Sequence, residues 1–308
     1  MRYRFGSGLL AGDAIRIGMA GRIPQETAQA LVNQTIGLKN PAVQLVSLGD
    51  WIPAGEGFIP IACTSGETET ILSSGKFNLL LAGPQADPGL LQLSDRVKTP
   101  VLYVEEHPLP IAVINQARDA FRQRTPVSFD PDAALVSEGR VCLGDREIEA
   151  ALTETSSKKI ALIGGSDTLL QTLGHLPGEL AKALLGEGYK VASWGDAALW
   201  ITRQNLPTGI LEAREGLLAA VRVLAGAEKL SDLRGICFTG LRNCSEFTLA
   251  LGLAVLGLKV SVAVPLPIWG SAQIRAMLRE NLTAVGGDLA HFDHPAQADE
   301  ILDRFLRL

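Results

Sequence analysis

Residues 159–167 read KIALIGGSD, and the fold can be inferred from the pattern in this segment. A short apolar run, residues 160–163, leads into two glycines, a serine and an aspartate. An apolar run without polar alternation is typical of a strand that is buried on both faces, as the strands of a parallel sheet are. The glycines mark a tight turn at the carboxyl end of that strand. The segment therefore predicts a buried β-strand followed by a turn.

The same pattern recurs on both sides of this segment. Short β-branched and leucine-rich runs alternate with amphipathic stretches, which is the sequence sign of βαβ units with a parallel sheet. Strands are predicted at residues 43–48, 78–82, 101–104, 159–163, 189–193, 235–238, 259–264 and 287–291. Helices are predicted at residues 24–36, 88–97, 110–121, 176–185, 211–224, 245–256, 271–279 and 295–305. The predicted fold class is α/β, with parallel sheets flanked by helices.

The length of the chain favours two domains. Its 308 residues correspond to two domains of about 150 residues each. Hydrophobicity falls for longest in the polar segment EIEAALTETSSKK, residues 147–159, which we interpret as the boundary. The prediction is two Rossmann-like domains, residues 1–150 and 151–308, that face each other across a cleft. In such sheets ligands bind outside the carboxyl ends of the strands.

The composition argues against several classes of function. Lys and Arg number 28 against 33 Asp and Glu, and the net charge of -5 provides no field to hold a polyanion, so no nucleic-acid partner is expected. The mean hydropathy is +0.20. The most apolar stretch, residues 247–258, is nevertheless shorter than the roughly 20 residues that span a bilayer, so no membrane partner is expected. Cys63, Cys142, Cys237 and Cys244 form no C-x-x-C pair, and a cytoplasmic location fits them best.

Three strand-end loops carry side chains that can bind a ligand. They are ACTSGE at residues 62–67, GGSD at 164–167 and WGD at 194–196. Their small residues let a backbone approach a ligand closely. The glycines of the second loop follow a strand as in a dinucleotide-binding fingerprint, but no third glycine completes G-x-G-x-x-G and no Walker lysine motif occurs. A nucleotide site and an ordinary tight turn are the two interpretations of that loop.

Cys63 also has two interpretations. It lies just before a helix predicted to run from Ser65, where the helix dipole favours a charged thiolate. Free cysteine is, however, among the residue types most often buried as packing. Either a reactive thiol or a core side chain is consistent with the sequence.

Several segments occur in an order that resembles one known family. SEF at 245–247, VPLPIWGS at 264–271 and GG at 286–287 are similar to its Ser-Glu-Lys helix, its Pro-Pro-Val-Leu-Gly-Ser turn and its Gly-Gly pair. ACT at 62–64 is similar to its Cys-Cys-Thr-Gly-Asn-Glu loop, and GDAA at 195–198 to its Gly-Cys-Ala-Ala loop. Over nearly all its length, the chain resembles the two C-terminal Rossmann-like domains of the catalytic subunit of nickel-containing carbon monoxide dehydrogenase, of the hybrid-cluster (prismane) superfamily.

In that family a nickel-iron-sulfur cluster lies between the two domains, held by one histidine and five cysteines. The resemblance puts AGRIP, residues 20–24, at the histidine loop, which here has no histidine. Of the five cysteine positions only Cys63 matches; the others fall on Ala86, Ser166, Asp196 and Leu211, and the lysine of the Ser-Glu-Lys helix falls on Phe247. Because iron-sulfur clusters are held by thiolates, neither the cluster nor carbon monoxide dehydrogenase activity is expected.

The resemblance also implies which side chains face the space that the cluster would occupy. These cleft residues are Cys63, Glu67, Ser166, Asp167, Asp196, Arg242 and Cys244. Arg22 and Arg242 would favour an anionic small molecule. Cys63, Cys244 and Asp196 could form a mixed sulfur and oxygen metal site. A cleft refilled by packing and water is the third interpretation.

These observations predict a pseudoenzyme with an accessory or regulatory role in one-carbon metabolism. It would bind a protein partner from carbon monoxide or acetyl-CoA metabolism, a metal or a small ligand, and the sequence specifies no cofactor. Two alternatives stay open. One is an enzyme with different chemistry, in which Cys63 is a nucleophile or ligand and Asp196 an acid or base. The other is a nucleotide-binding protein that uses Gly164-Gly165-Ser166.

Overall fold

The computed structural model describes residues 1–38, 41–124, 128–153, 159–168, 170–265, 271–292 and 294–306. The chain divides into two compact units, Met1–Arg140 and Val141–Leu308. Each unit contains a mainly parallel sheet flanked by helices, which confirms the predicted α/β class.

The sheet of the first unit has at its centre strand β2 (Ile15–Ala20), which is buried along its whole length. The strands are β1 (Arg2–Phe5), β2 (Ile15–Ala20), β3 (Val43–Leu48), β4 (Pro53–Ala54), β5 (Gly57–Phe58), β6 (Ile61–Cys63), β7 (Leu79–Ala82), β8 (Val101–Tyr103) and β9 (Ser137–Cys142). Their order is β9-β1-β6-β3-β2-β7-β8, with β5 beside β1 and β4 beside β5. From β6 to β8 all neighbours are parallel. Within this parallel part β2 comes first in the chain, β3 and β6 follow on one side of it, and β7 and β8 follow on the other.

Helices cover both faces of this first sheet. They are α1 (Gln25–Thr35), α2 (Thr68–Ser73), α3 (Pro88–Arg96) and α4 (Pro110–Gln123), with short 3₁₀ helices at Ser7–Leu10, Ser65–Glu67 and Val104–Glu106. Alternate residues of β2 point to opposite faces. Ile15, Ile17 and Met19 therefore pack in a core with α1 and α4, whereas Ala20 packs in a second core with α2 and α3.

The second unit contains the strand order of dinucleotide-binding sheets. Its strands are β10 (Ile160–Gly165), β11 (Lys190–Trp194), β12 (Gly209–Leu211), β13 (Leu233–Phe238), β14 (Lys259–Val262) and β15 (Asp288–His291). All pair in parallel in the order β15-β14-β13-β10-β11-β12, and residues 141–142 of β9 pair with β12. Numbered along the chain, this order is the 3-2-1-4-5-6 of the Rossmann fold.

Seven helices of the second unit lie within the described residues. They are α5 (Gly144–Thr153), α6 (His175–Gly186), α7 (Gly195–Arg203), α8 (Ala213–Gly226), α9 (Cys244–Val255), α10 (Ala272–Ala284) and α11 (Ala298–Leu306). Residues of α5, α8 and α9 share one apolar core with the sheet, and residues of α6, α7 and α11 share another. In the described part of the chain, no helix combines the length and apolar character that a membrane span needs.

Each of the eight strands and eight helices predicted from the sequence corresponds to an observed element. The periodicity missed others, among them β2, β9, β12, α5 and α7. Strand β2 was missed because Arg16 interrupts its apolar run, yet Arg16 is buried. The polar segment 147–159 is not a linker over its first half, since α5 occupies residues 144–153 and buries Ile148 and Leu152. The two compact units divide between Arg140 and Val141, whereas the sequence placed the boundary at residue 150. Residues 154–158 and 266–270 lie outside the described residues.

We expect Gly164→Ala to destabilise the second unit. Gly164 pairs with Trp194 on the neighbouring strand, and an added Cβ would lie 1.9 Å from the indole Cδ2. Overpacking of this kind costs about 1–3 kcal/mol, measured as a lower free energy of unfolding in urea. Gly186→Ala, at the end of α6 with nothing within 4 Å of the new Cβ, is the matched control. If Gly164→Ala unfolds at the same urea concentration as Gly186→Ala and the unsubstituted protein, the indole of Trp194 does not pack against Gly164 as described.

Candidate functional site

The order of the second sheet reverses between β10 and β13, where sheets of this kind bind their ligands. Here the end of β10 and the residues that follow it are bonded to the residues that follow β13. The backbone N–H of Thr239 donates to the carbonyl of Gly164 over 2.7 Å, and the Thr239 hydroxyl donates to the same oxygen over 3.1 Å. The N–H of Ser166 donates to the carbonyl of Gly240 over 3.3 Å. Hydrogen bonds within the protein therefore bridge this crevice.

Two glycines make the contact between these loops possible. A Cβ on Gly165 would lie 2.3 Å from the Gly240 carbonyl oxygen, and a Cβ on Gly240 would lie 2.1 Å from the Ser166 oxygen. Gly165 also has a positive φ of 112°, which L side chains rarely adopt. The small residues of Gly164-Gly165-Ser166 thus let backbone approach backbone. Because the N–H groups of Ser166 and Asp167 already donate within the protein, the geometry favours the tight-turn interpretation over a phosphate cradle.

Three of the predicted site residues come together beside this contact. Helix α7 begins directly at Gly195, which forms a parallel β-bridge with Gly165 at the end of β10, and so places Asp196 in its first turn. Asp196 is 4% exposed, and its Oδ2 accepts a hydrogen bond of 2.9 Å from the N–H of Asp167. The Oδ1 of Asp167 accepts 2.7 Å from the indole N–H of Trp200. Asp196 and Asp167 thereby hold the loop that contains Ser166 against α7.

Sequence reasoning missed Trp200. The signal was available, because residue 200 lies four positions after Asp196 and residues at that spacing share a helix face. The spacing indicates a shared face only if residues 196–200 are helical, and the periodicity did not predict α7. Thr239 and Gly240 were missed for a related reason: a glycine directly after a predicted strand indicates a turn but does not say what the turn contacts.

Arg242 lies between β13 and α9, Cys244 is the first residue of α9, and both are exposed. Asn243 caps α9, since its Oδ1 accepts from the N–H groups of Ser245 and Glu246 at 3.0 and 3.2 Å. The Oε2 of Glu246 accepts from the backbone N–H of Arg242 at 2.7 Å. This reciprocal arrangement fixes the start of the helix and presents both predicted side chains to solvent.

The first unit repeats the loop contact at its own reversal of strand order, between β2 and β7. The N–H of Arg22 donates to the carbonyl of Pro84 over 2.7 Å. A Cβ on Gly83 would lie 2.2 Å from the Arg22 oxygen, and a Cβ on Gly21 would lie 2.6 Å from the Gly83 oxygen. The carboxylate of Asp50 accepts from the N–H of Gly21 at 2.6 Å. In both units, glycines bring these loops into contact.

The other two predicted residues of the first unit have structural contacts. Cys63 ends β6, is 1% exposed and packs in the apolar core that includes Leu48 and Leu72. The helix expected from Ser65 is a 3₁₀ turn that leads into α2 at Thr68. Glu67 Oε2 accepts from the N–H and the hydroxyl of Thr64, at 3.1 and 3.3 Å, as part of a capping box. The burial favours the packing interpretation of Cys63.

Cys237 also fits a structural role. None of the four, all of which the structure describes, forms a disulfide. Cys237 is fully buried in β13, and burial raises the pKa of its thiol far above its ordinary value. A thiol held neutral in this way is a poor nucleophile and a poor metal ligand.

The residues present do not fit a nickel-iron-sulfur cluster. Among the described residues, no three side chains of His, Cys, Asp or Glu come together as a metal site. At the positions that the family resemblance assigns to thiolates, Ala86 and Leu211 have no donor atom, and Leu211 is fully buried in the apolar core. The carboxylate of Asp196 holds the neighbouring loop.

No protein-family model matches the sequence, and no curated protein matches it. Solved structures do match. Carbon monoxide dehydrogenase IV from Carboxydothermus hydrogenoformans is similar with a TM-score of 0.78 and 14% identity, over 99% of this chain and 61% of that one. The nickel-free enzyme from Thermococcus sp. AM4 is similar with a TM-score of 0.75 and 16% identity, over 99% and 59%.

A third match is the structure of alpha subunits of acetyl-CoA synthase/carbon monoxide dehydrogenase, with a TM-score of 0.71 and 16% identity over 99% of this chain and 58% of that one. This chain has the fold of the part of carbon monoxide dehydrogenase that it matches. It spans about three fifths of the length of these structures, 58% to 61%. The fold implied by the sequence resemblance is thereby confirmed, and at this identity the similarity concerns the fold alone.

Loss of the Asp196 carboxylate is expected to destabilise the second unit. Asp196→Ala removes the acceptor of the partly buried N–H of Asp167, and the loss of such a hydrogen bond costs about 0.5–1.5 kcal/mol. Asp196→Asn keeps an oxygen that can accept this bond and is expected to lose less. Urea unfolding followed by tryptophan fluorescence measures both. Equal stability of the alanine variant and the unsubstituted protein would contradict the role of this contact.

Proposed function

We propose that this chain is a cluster-free relative of the C-terminal part of the carbon monoxide dehydrogenase catalytic subunit, with a non-catalytic, accessory role in carbon monoxide or acetyl-CoA metabolism. The observation that carries the proposal is the contact between Asp196 and Asp167. By the resemblance, Asp196 takes the place of a cluster cysteine. Its carboxylate is a hard ligand, whereas iron-sulfur clusters are held by thiolates.

The surroundings of Asp196 support the same conclusion. A carboxylate that is 4% exposed is stable only when hydrogen bonds or cations compensate for its loss of water. Asp167 supplies such a bond, and Trp200 in turn fixes Asp167. The position has therefore changed from one that would hold a metal to one that holds a loop, while the fold around it is kept.

A protein that keeps this fold but lacks the cluster ligands can still bind a partner through the surface of its domains. One of the similar structures is described as alpha subunits of acetyl-CoA synthase/carbon monoxide dehydrogenase. We propose a protein of that metabolic system as the partner of this chain, and the cytoplasm as its location. The alternative enzyme hypothesis has less support, because the thiol of Cys63 lies in an apolar core.

The cluster-free part of the proposal is tested by anaerobic reconstitution with iron, sulfide and nickel. We expect no stoichiometric iron or nickel by metal analysis and no visible absorption of an iron-sulfur cluster, because the donor set lacks the thiolates. The Carboxydothermus carbon monoxide dehydrogenase, taken through the same procedure, is the positive control. A brown protein with stoichiometric nickel and iron would overturn the proposal.

The accessory role is tested separately. The tagged chain, isolated from its native host, is expected to bring down subunits of carbon monoxide dehydrogenase or acetyl-CoA synthase, identified by mass spectrometry. Cells grown without carbon monoxide provide the control. If these subunits are not enriched, the accessory role is wrong, although the absence of a cluster would still stand on the metal analysis.

A further inference from the structure

Arg16 is a charged side chain inside the first sheet, with no exposed surface. It is the second residue of β2, at the amino ends of the strands and away from the loops described above. Its Nε donates to the Gln44 side chain over 3.0 Å, and its Nη2 donates to the carbonyls of Ala11 and Gly12 over 2.7 and 3.2 Å. Its Nη1 finds no acceptor among the described residues.

Two neighbouring groups also have buried N–H donors without an acceptor in the described part of the chain: Asn78 Nδ2 and Arg124 Nη1. Asn78 is adjacent to Arg16. The backbone N–H of Arg16 donates to Asn78 Oδ1, and the backbone N–H of Asn78 donates to the carbonyl of Arg16, both over 2.9 Å. Arg124 forms an ion pair with Asp13. Burial lowers the pKa of Arg16, and the nearby positive charge of Arg124 lowers it further.

The charges around these donors do not balance. Lys76, whose side chain is 6% exposed, binds Asp130 at 3.0 Å and the Gly12 carbonyl at 3.1 Å. It is the third cation of the cluster, and the carboxylates that face the three cations are those of Asp13 and Asp130. One positive charge therefore lacks a counter-charge among these residues. Buried charges are stable when they are paired, and buried donors when they are bonded.

We propose that this cluster is a binding site for a small monovalent oxyanion, which accepts hydrogen bonds from Arg16, Asn78 and Arg124. An oxyanion suits these donors because it can accept several hydrogen bonds at once, and hydrogen bonds from guanidinium groups to a charged acceptor are strong. A single negative charge would balance the cluster. The inference does not rest on the proposed function, since it concerns the opposite ends of the strands.

Arg124 provides the entrance to the site. The orphan nitrogens are sealed from solvent. The side chain of Arg124, however, is 18% exposed at the end of α4, and its ion-pair partner Asp13 is at the surface. The anion enters when Arg124 moves aside, and Arg124 then closes over it.

The site is tested by thermal unfolding with sodium formate or sodium nitrate as the probe, in the millimolar range and at constant ionic strength made up with bulky gluconate. We expect a saturable rise of the unfolding midpoint, roughly 3–6 °C at ten times the Kd. Arg124→Gln is expected to abolish the rise. Arg122→Gln is the matched control, because Arg122 lies on the same helix, is 75% exposed and pairs with Asp119.

A second variant tests the charge argument without removing a cation. Gln44→Glu is nearly isosteric and puts a carboxylate within hydrogen-bond distance of Arg16 Nε. We expect it to raise the midpoint in gluconate and to abolish the response to formate and nitrate. The proposal is overturned if the unsubstituted protein shows no saturable rise. It is equally overturned if Gln44→Glu, or a folded Arg124→Gln, responds like the unsubstituted protein.

Discussion

The backbones of Gly165, Ser166 and Gly240 lie in direct contact, and this contact organises the carboxyl end of the second sheet. It occupies the place where a sheet with this strand order would otherwise admit a ligand. A side chain on either glycine would force the two loops apart. With the loops held together, the N–H of Asp167 comes within 2.9 Å of the Asp196 carboxylate, and α7 follows β11 without an intervening loop.

The first unit reaches the same result with different residues. Gly21 and Gly83 allow the loops after β2 and β7 to meet, and Asp50 fixes the first of them. Two sheets of one chain thus close their own ligand crevices with backbone contacts. Glycine-rich strand ends are commonly taken as signs of ligand binding, because they let a cofactor approach the backbone. Here the same property serves protein packing, which weakens the nucleotide hypothesis.

Sequence periodicity predicted the buried parallel strands well, because burial on both faces leaves continuous apolar runs. It failed where a polar group is buried through tertiary partners. Arg16 made β2 look interrupted, yet its Nε donates to Gln44 and its Nη2 donates to the carbonyls of Ala11 and Gly12. The segment that contains α5 looked like a linker, because its glutamates hide the buried Ile148. Ser166, Asp167 and Asp196 were predicted together, whereas Trp200 required the position of α7, which local pattern did not predict.

The packing also explains why a single substitution would not restore a metal site. A cysteine in place of Asp196 would supply a thiolate but remove the acceptor that holds Asp167 and its loop. At Leu211 a thiolate would have to form at a fully buried position in the apolar core, where desolvation favours the neutral thiol, as it does at Cys237. Each further donor would thus cost stability before a metal could bind. The packing of the strand ends therefore supports the proposal that this chain holds no such cluster.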